Sequence, residues 1–128
     1  MTDTARRTGP LRVLIVDDEP DLRVLLRTML GIDQRFEIAG EAADGAQGLA
    51  MYRELRPDVL LLDQRMPMLE GLEVAALVLA DHPDQIVVLM SAFLNDAIVK
   101  EALALGVRSV IGKQRIAGIA DEILRLAA

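Results

Sequence analysis

The chain has 128 residues, 52% of them apolar, and a net charge of −6 from 14 basic and 20 acidic side chains, which suits one domain with a real buried core. The acidic balance disfavours direct binding to nucleic acid, whose phosphates it would repel. The lack of cysteine excludes disulfides and thiol chemistry, and two Phe, one Tyr and no Trp leave an aliphatic core without base-stacking platforms. No apolar run is long enough to span a membrane, and Met1 to Arg7 lacks the apolar stretch of a signal peptide. The expectation is a cytoplasmic protein: a flexible tail over residues 1–9, then one domain over 10–128.

Apolar runs alternate with helix-period stretches. Leu11 to Val16 reads as a strand with one Arg in it. Pro20 suits a first helical turn, and Leu22, Leu25, Leu26 and Met29 form a stripe that leaves Val24 on the other side, near Arg27 and Thr28. Phe36 to Ala39 is a weaker strand, closed by Gly40. Asp44-Gly45-Ala46-Gln47 resembles a capping box, and the helix it opens ends before Pro57. Val59 to Leu62 is wholly apolar, as a strand buried on both faces should be. A helix over Gly71–Ala80 and a strand over Ile86–Met90 follow. Asn95 can cap a helix that ends at Gly106, a natural C′ glycine. Val107 to Ile111 is the fifth strand, and Ile116, Ile119, Ala120 and Ile123 mark the last helix. Five βα units in succession imply an α/β fold: a doubly wound parallel five-stranded sheet between helix layers, flavodoxin-like, with strand order 2-1-3-4-5. The last helix falls at the end of the chain, and the expectation is that no output module follows it.

Ligands of open α/β sheets bind beyond the carboxyl ends of the strands. Polar residues stand at four such ends: Asp17 and Asp18 after the first, Asp63 after the third, Ser91 after the fourth and Lys113 after the fifth. Singly, each has an ordinary reading as a helix cap, turn residue or solvated charge. Jointly they make one site, because in the expected order those four strands are neighbours. Three carboxylates repel one another and call for a counter-ion. An all-oxygen set suits magnesium, whereas zinc lacks ligands: His82 is the one histidine and sits beside Pro83. A lysine and a hydroxyl could hold oxygens of a phosphoryl group, leaving one carboxylate free to attack phosphorus.

From Leu11 to Ala127 the chain resembles the receiver domain of bacterial response regulators, in particular the single-domain chemotaxis regulators. Four segments carry the resemblance: Asp17-Asp18; Leu60-Leu61-Leu62-Asp63-Gln64-Arg65-Met66-Pro67-Met68-Leu69-Glu70-Gly71; Met90-Ser91-Ala92; and Ala104-Leu105-Gly106-Val107 running on to Lys113. It implies that Asp63 accepts a phosphoryl group from a sensor histidine kinase or histidine phosphotransfer protein. Asp18, Asp63 and the backbone carbonyl of Arg65 would bind Mg2+, with Asp17 acting mainly through water. Lys113 and Ser91 would contact the phosphoryl group, and Arg65 and Phe93 would flank the approach of water. Kinase-side partners would dock near Val24. A downstream protein would dock on the face of helix four, strand five and helix five, including Lys100, Glu101 and Arg108, and a phosphorylation-dependent homodimer is a further family option.

Three positions depart from the pattern. Val110 stands where the family usually has Tyr or Phe, Gln114 follows the lysine where Pro is frequent, and Arg108-Ser109 replaces a frequent Gly before the aromatic. A cis bond before a non-proline costs about 2.5–4 kcal/mol, so Lys113-Gln114 is expected trans. Val110 cannot present or withdraw a ring, so the readout is expected to move the segment from Ser91 to Ala104 instead. Two rivals fit poorly. An aspartyl-nucleophile phosphatase needs a second Asp two residues on, where Arg65 and Glu19 stand; a flavin carrier needs an uncharged phosphate loop and more aromatics. The remaining alternative is a receiver-like interaction domain that signals without phosphorylation.

Overall fold

A computed structural model describes residues 9–128; the tail expected over residues 1–9 lies, but for Gly9, outside them. Among the described residues five strands alternate with five helices: β1 Leu11–Val16, α1 Pro20–Gly31, β2 Phe36–Ala42, α2 Gly45–Leu55, β3 Val59–Asp63, α3 Gly71–Asp81, β4 Ile86–Ser91, α4 Asp96–Leu105, β5 Ser109–Gly112 and α5 Ile119–Ala127. The strands form one parallel sheet in the order β2-β1-β3-β4-β5.

Two apolar layers flank the sheet. Strand side chains alternate between them because successive residues point to opposite faces. Leu14, Val16, Leu60, Leu62, Val87 and Leu89 meet α2, α3 and α4 on one side. Val13, Ile15, Val59, Leu61, Val88 and Met90 meet α1 and α5 on the other. All five residues of β3 are buried, which explains its unbroken apolar run.

The local signals act as their chemistry requires. Asp44 caps α2 by accepting from the Gln47 amide at 2.8 Å, although Gln47 returns its side chain to the Ala43 amide, one residue before the cap. Asn95 caps α4 through the Ile98 amide, and Gly106 closes that helix at φ 104, a conformation that favours glycine. Pro20 occupies the first turn of α1. The Arg in β1, Arg12, reaches the free carbonyls of Leu55 and Arg56 at the end of α2.

Several boundaries differ from those expected. β2 runs on to Ala42 because Gly40 does not end it: Met51 and Leu55 of α2 fill the space a Cβ would take. β5 starts at Ser109, since the Val107 amide closes α4 by bonding to the Ala102 carbonyl. Lys113–Gly118 forms a 3-10 segment before α5 begins. On α1 the buried positions are Leu26 and Leu30, and Leu25 is exposed like Val24. The helix is rotated on the sheet relative to the expected stripe, so its outer face carries two adjacent apolar residues. No peptide bond among the described residues is cis, that of Lys113-Gln114 included.

Candidate functional site

The carboxyl ends of β1, β3 and β5 bring their acidic and basic residues into one cluster. Carboxylate oxygens of Asp17, Asp18 and Asp63 all lie within 4.8 Å of one another. The Lys113 ammonium stands 3.2 Å from Asp17 Oδ2, 3.2 Å from Asp63 Oδ1 and 2.7 Å from Glu19 Oε1. Asp17 and Asp63 are buried, whereas Asp18 faces solvent. The cluster is therefore closed below by two carboxylates and the lysine and open above at Asp18.

Burial penalises charge, and the pKa values follow. Burial first, then the Asp17 charge, push the Asp63 carboxyl up to about 7 against the opposing pull of Lys113. Burial likewise raises Asp17. Burial alone would lower Lys113, but the hydrogen bond to Glu19 and the charges of Asp17 and Asp63 outweigh it, so its pKa is raised and it stays cationic.

Asp17 does not cap α1, although Asp is suited to that role. Its Oδ1 accepts from the Glu19 amide at 2.8 Å, folding the β1–α1 turn. Its Oδ2 is buried and receives no hydrogen bond, leaving the Lys113 ammonium as an ionic neighbour. An orphaned carboxylate oxygen costs free energy unless a cation or donor completes it. With three carboxylates converging and one side open to water, the donor set fits a hard divalent cation such as Mg2+.

Ser91 ends β4, one residue beyond Met90, the neighbour of Asp63 across the sheet. It does not join the carboxylates: its hydroxyl donates to the Phe93 carbonyl at 3.1 Å and accepts from the Phe93 amide at 3.2 Å. Arg65 lies on the β3–α3 loop, lining a cleft of about 540 Å³ with Asp18, Met66, Pro67 and Ile98. Its guanidinium stands 6.0 Å from the centre of the exposed Phe93 ring. Val110 is half-buried against the α4 side of the core.

Two contributors gave little sign in the sequence. Gln64 stands in the sequence only as one polar residue of the Leu60–Gly71 segment, yet it is buried and pins the β3–α3 loop. It accepts from the Leu72 amide and donates to Glu70, both at 2.9 Å, while its backbone bonds to Met90 and Gly71. Arg23, one of several charges on α1, donates to the Asp17 carbonyl and is steadied by Glu41. Both hold loops that carry site residues.

The model of the response regulator receiver domain matches residues 13–123. The chain belongs to that family. The family's general function is a phosphorylation-based switch in two-component signalling, and its members bind Mg2+ at an acidic site and meet kinases, phosphotransfer proteins and downstream targets. The chemotaxis protein CheY of Listeria monocytogenes is 34% identical over 118 residues, covering 92% of this chain and 98% of that protein. Protein-glutamate methylesterase/protein-glutamine glutaminase 3 of Anaeromyxobacter dehalogenans is 38% identical over 120 residues; the match covers 91% of this chain but 35% of that protein. Among solved structures, the signal receiver domain of the response regulator NarL from Mycobacterium tuberculosis superposes with a TM-score of 0.88 at 35% identity, covering 93% of this chain and 97% of that one. Among the described residues of this receiver, no helix is long and apolar enough to cross a membrane.

Proposed function

We propose that Asp63 is the phosphoacceptor of this receiver and that residues 10–128 form the switching unit of a cytoplasmic phosphorelay protein. The supporting observation is the placement of Asp63: buried, within 4.8 Å of two other carboxylates, and paired with a lysine. The reaction is displacement at phosphorus. A carboxylate oxygen of Asp63 forms the new O–P bond as the bond to the donor breaks, and the donor group leaves with that electron pair. Lys113 balances charge on the transferring oxygens, and no general base is required. Asp18, Asp63 and the Arg65 carbonyl would hold Mg2+, with Asp17 acting through water; the bound ion would neutralise charge on the phosphoryl oxygens. To donate to the phosphoryl group the Ser91 hydroxyl must give up its donation to the Phe93 carbonyl, which would couple phosphorylation to the loop before α4.

The proposed donor is a sensor histidine kinase or a histidine phosphotransfer protein, docking beside the site on the exposed Val24 and Leu25 of α1. The proposed target lies on the α4–β5–α5 face, where Lys100, Glu101 and Arg108 are exposed, and the same face serves any phosphorylation-dependent dimer. Direct contact with nucleic acid or membrane is not part of this reading. Incubation with acetyl phosphate and Mg2+ should add one phosphoryl group to the intact mass, and Asp63→Ala should abolish the gain. Val24→Asp should slow transfer from the phosphohistidine partner but not from acetyl phosphate. An unchanged wild-type mass would favour a receiver that signals without phosphorylation.

A further inference from the structure

Lys113 has a third carboxylate partner that the acceptor chemistry does not call for. Its shortest contact, 2.7 Å, is with Glu19, not with Asp17 or Asp63. Glu19 is solvent-exposed, with 61% of its side chain accessible, while the other two carboxylates are buried. It is also the N-cap residue of α1, yet its side chain caps nothing there. The carboxylate is turned away from the helix toward the lysine. The bond joins elements 94 residues apart: the β1–α1 turn, and the 3-10 segment Lys113–Gly118 that leads into α5.

We propose that Glu19 is a latch, a positioning residue that holds Lys113 and the segment behind it in the unphosphorylated arrangement and yields the lysine when a phosphoryl group arrives on Asp63. This rests on Asp63 being the acceptor. A phosphoryl group brings about two negative charges and three acceptor oxygens into a partly dry site, so it outcompetes an exposed carboxylate for the ammonium. The Glu19 end of the pair is open to water, so the pair contributes little stability and the latch is weak enough to be exchanged. Once released, Glu19 lies beside the free amides at the start of α1, where a carboxylate is favoured. Phosphorylation would thus loosen the approach to α5 and tighten the start of α1. This route needs no ring on β5, where the chain has Val110. Glu19 also adds negative charge where an anionic phosphodonor must enter.

Two measurements on the full chain test the latch. In Glu19→Gln and Glu19→Ala, the acetyl phosphate concentration giving half-maximal labelling should fall about three- to tenfold, with a smaller change in maximal rate. In amide NMR spectra without any phosphoryl mimic, signals of Lys113–Gly118 in both variants should move toward their positions in the wild-type complex with beryllofluoride and Mg2+. The latch is overturned if those signals stay at wild-type positions in both variants although beryllofluoride moves them in the wild type. It is equally overturned by unchanged concentration dependence in both variants. A wild-type chain that neither labels nor responds to beryllofluoride overturns the acceptor assignment instead.

Discussion

A Cβ placed on Gly71 would collide with the carbonyl oxygen of Asp63 and stand 2.9 Å from the Gln64 Cα. Leu89 Cδ1 stands on the same spot at 2.9 Å, but the first two atoms are backbone, so side-chain rotation alone does not relieve the contact. The first residue of α3 is thereby seated directly on the acceptor segment, and the Gly71 amide bonds back to the Gln64 carbonyl at 2.9 Å. Gly71→Ala should destabilise the fold by about 1–3 kcal/mol, as overpacking does, and should slow labelling of Asp63. Denaturant titration alongside acetyl phosphate labelling measures both; wild-type values in both would show that α3 can move away at no cost.

Burial first, and then the neighbouring Asp17 charge, make Asp63 a weak acid. Asp63 has a folded pKa of about 7 against a reference of 3.8, so its proton is bound more tightly in the fold. The resulting stability is complete below about pH 4 and is lost as pH rises through about 7. Without metal, the melting temperature of the wild type should therefore carry a pH dependence in this window that Asp63→Asn lacks. At pH 8 that variant should be more stable by about 1–3 kcal/mol. Added Mg2+ should reverse the ranking. A less stable Asp63→Asn without metal at pH 8 would contradict the assigned repulsion.

At the α5 edge the sign is opposite. Hydrogen bonds from Arg125, at 2.7 and 2.8 Å, and from the Ser109 hydroxyl, at 2.6 Å, hold the Glu122 carboxyl down at about 2, from a reference of 4.5. A lowered folded pKa contributes stability that is present above pH 4.5 and is lost as pH falls toward 2. Glu122→Gln should flatten that acid limb in thermal unfolding. Because the pair is largely solvent-exposed the effect should be small, and an unchanged limb would mean that the pair adds nothing.

Phe93 is 71% exposed, so its ring is not a core side chain, and the Arg65 guanidinium stands over its face. Phe93→Ala should change stability by less than about 0.5 kcal/mol, as exposed substitutions do. It should nevertheless hasten decay of the phosphorylated protein, if ring and guanidinium together screen the acyl phosphate from water. An unchanged half-life would assign the ring to partner contact alone.

Much of this was readable from side-chain type and spacing. The apolar run before Asp63, the caps Asp44 and Asn95, and the break at Gly106 set element order, and alternation set the parallel sheet. The strand ends then put Asp17, Asp18, Asp63 and Lys113 on one rim. What escaped depends on which atoms meet. Periodicity places a stripe only to within one residue on a helix, so the spacing points Leu25 inward, whereas Leu25 is exposed and Leu30 is buried. Gly40 reads as a stop, but it is a close-packing point under Met51 and Leu55. Gln64, Arg23 and Glu19 look like surface polar residues, and only the folded loops show what each one holds. Ser91 was expected at the site, yet its hydroxyl is bonded into its own turn.

The central claim is that Asp63 itself takes the phosphoryl group. An acyl phosphate is reduced by borohydride, which converts the modified aspartate to homoserine while free carboxylates do not react. The full chain would be treated with acetyl phosphate and Mg2+, reduced, digested and mapped by tandem mass spectrometry. Homoserine at position 63, and at neither 17 nor 18, is the predicted result. Homoserine at position 17 or 18, or unmodified Asp63 in protein whose mass shows phosphorylation, would contradict it.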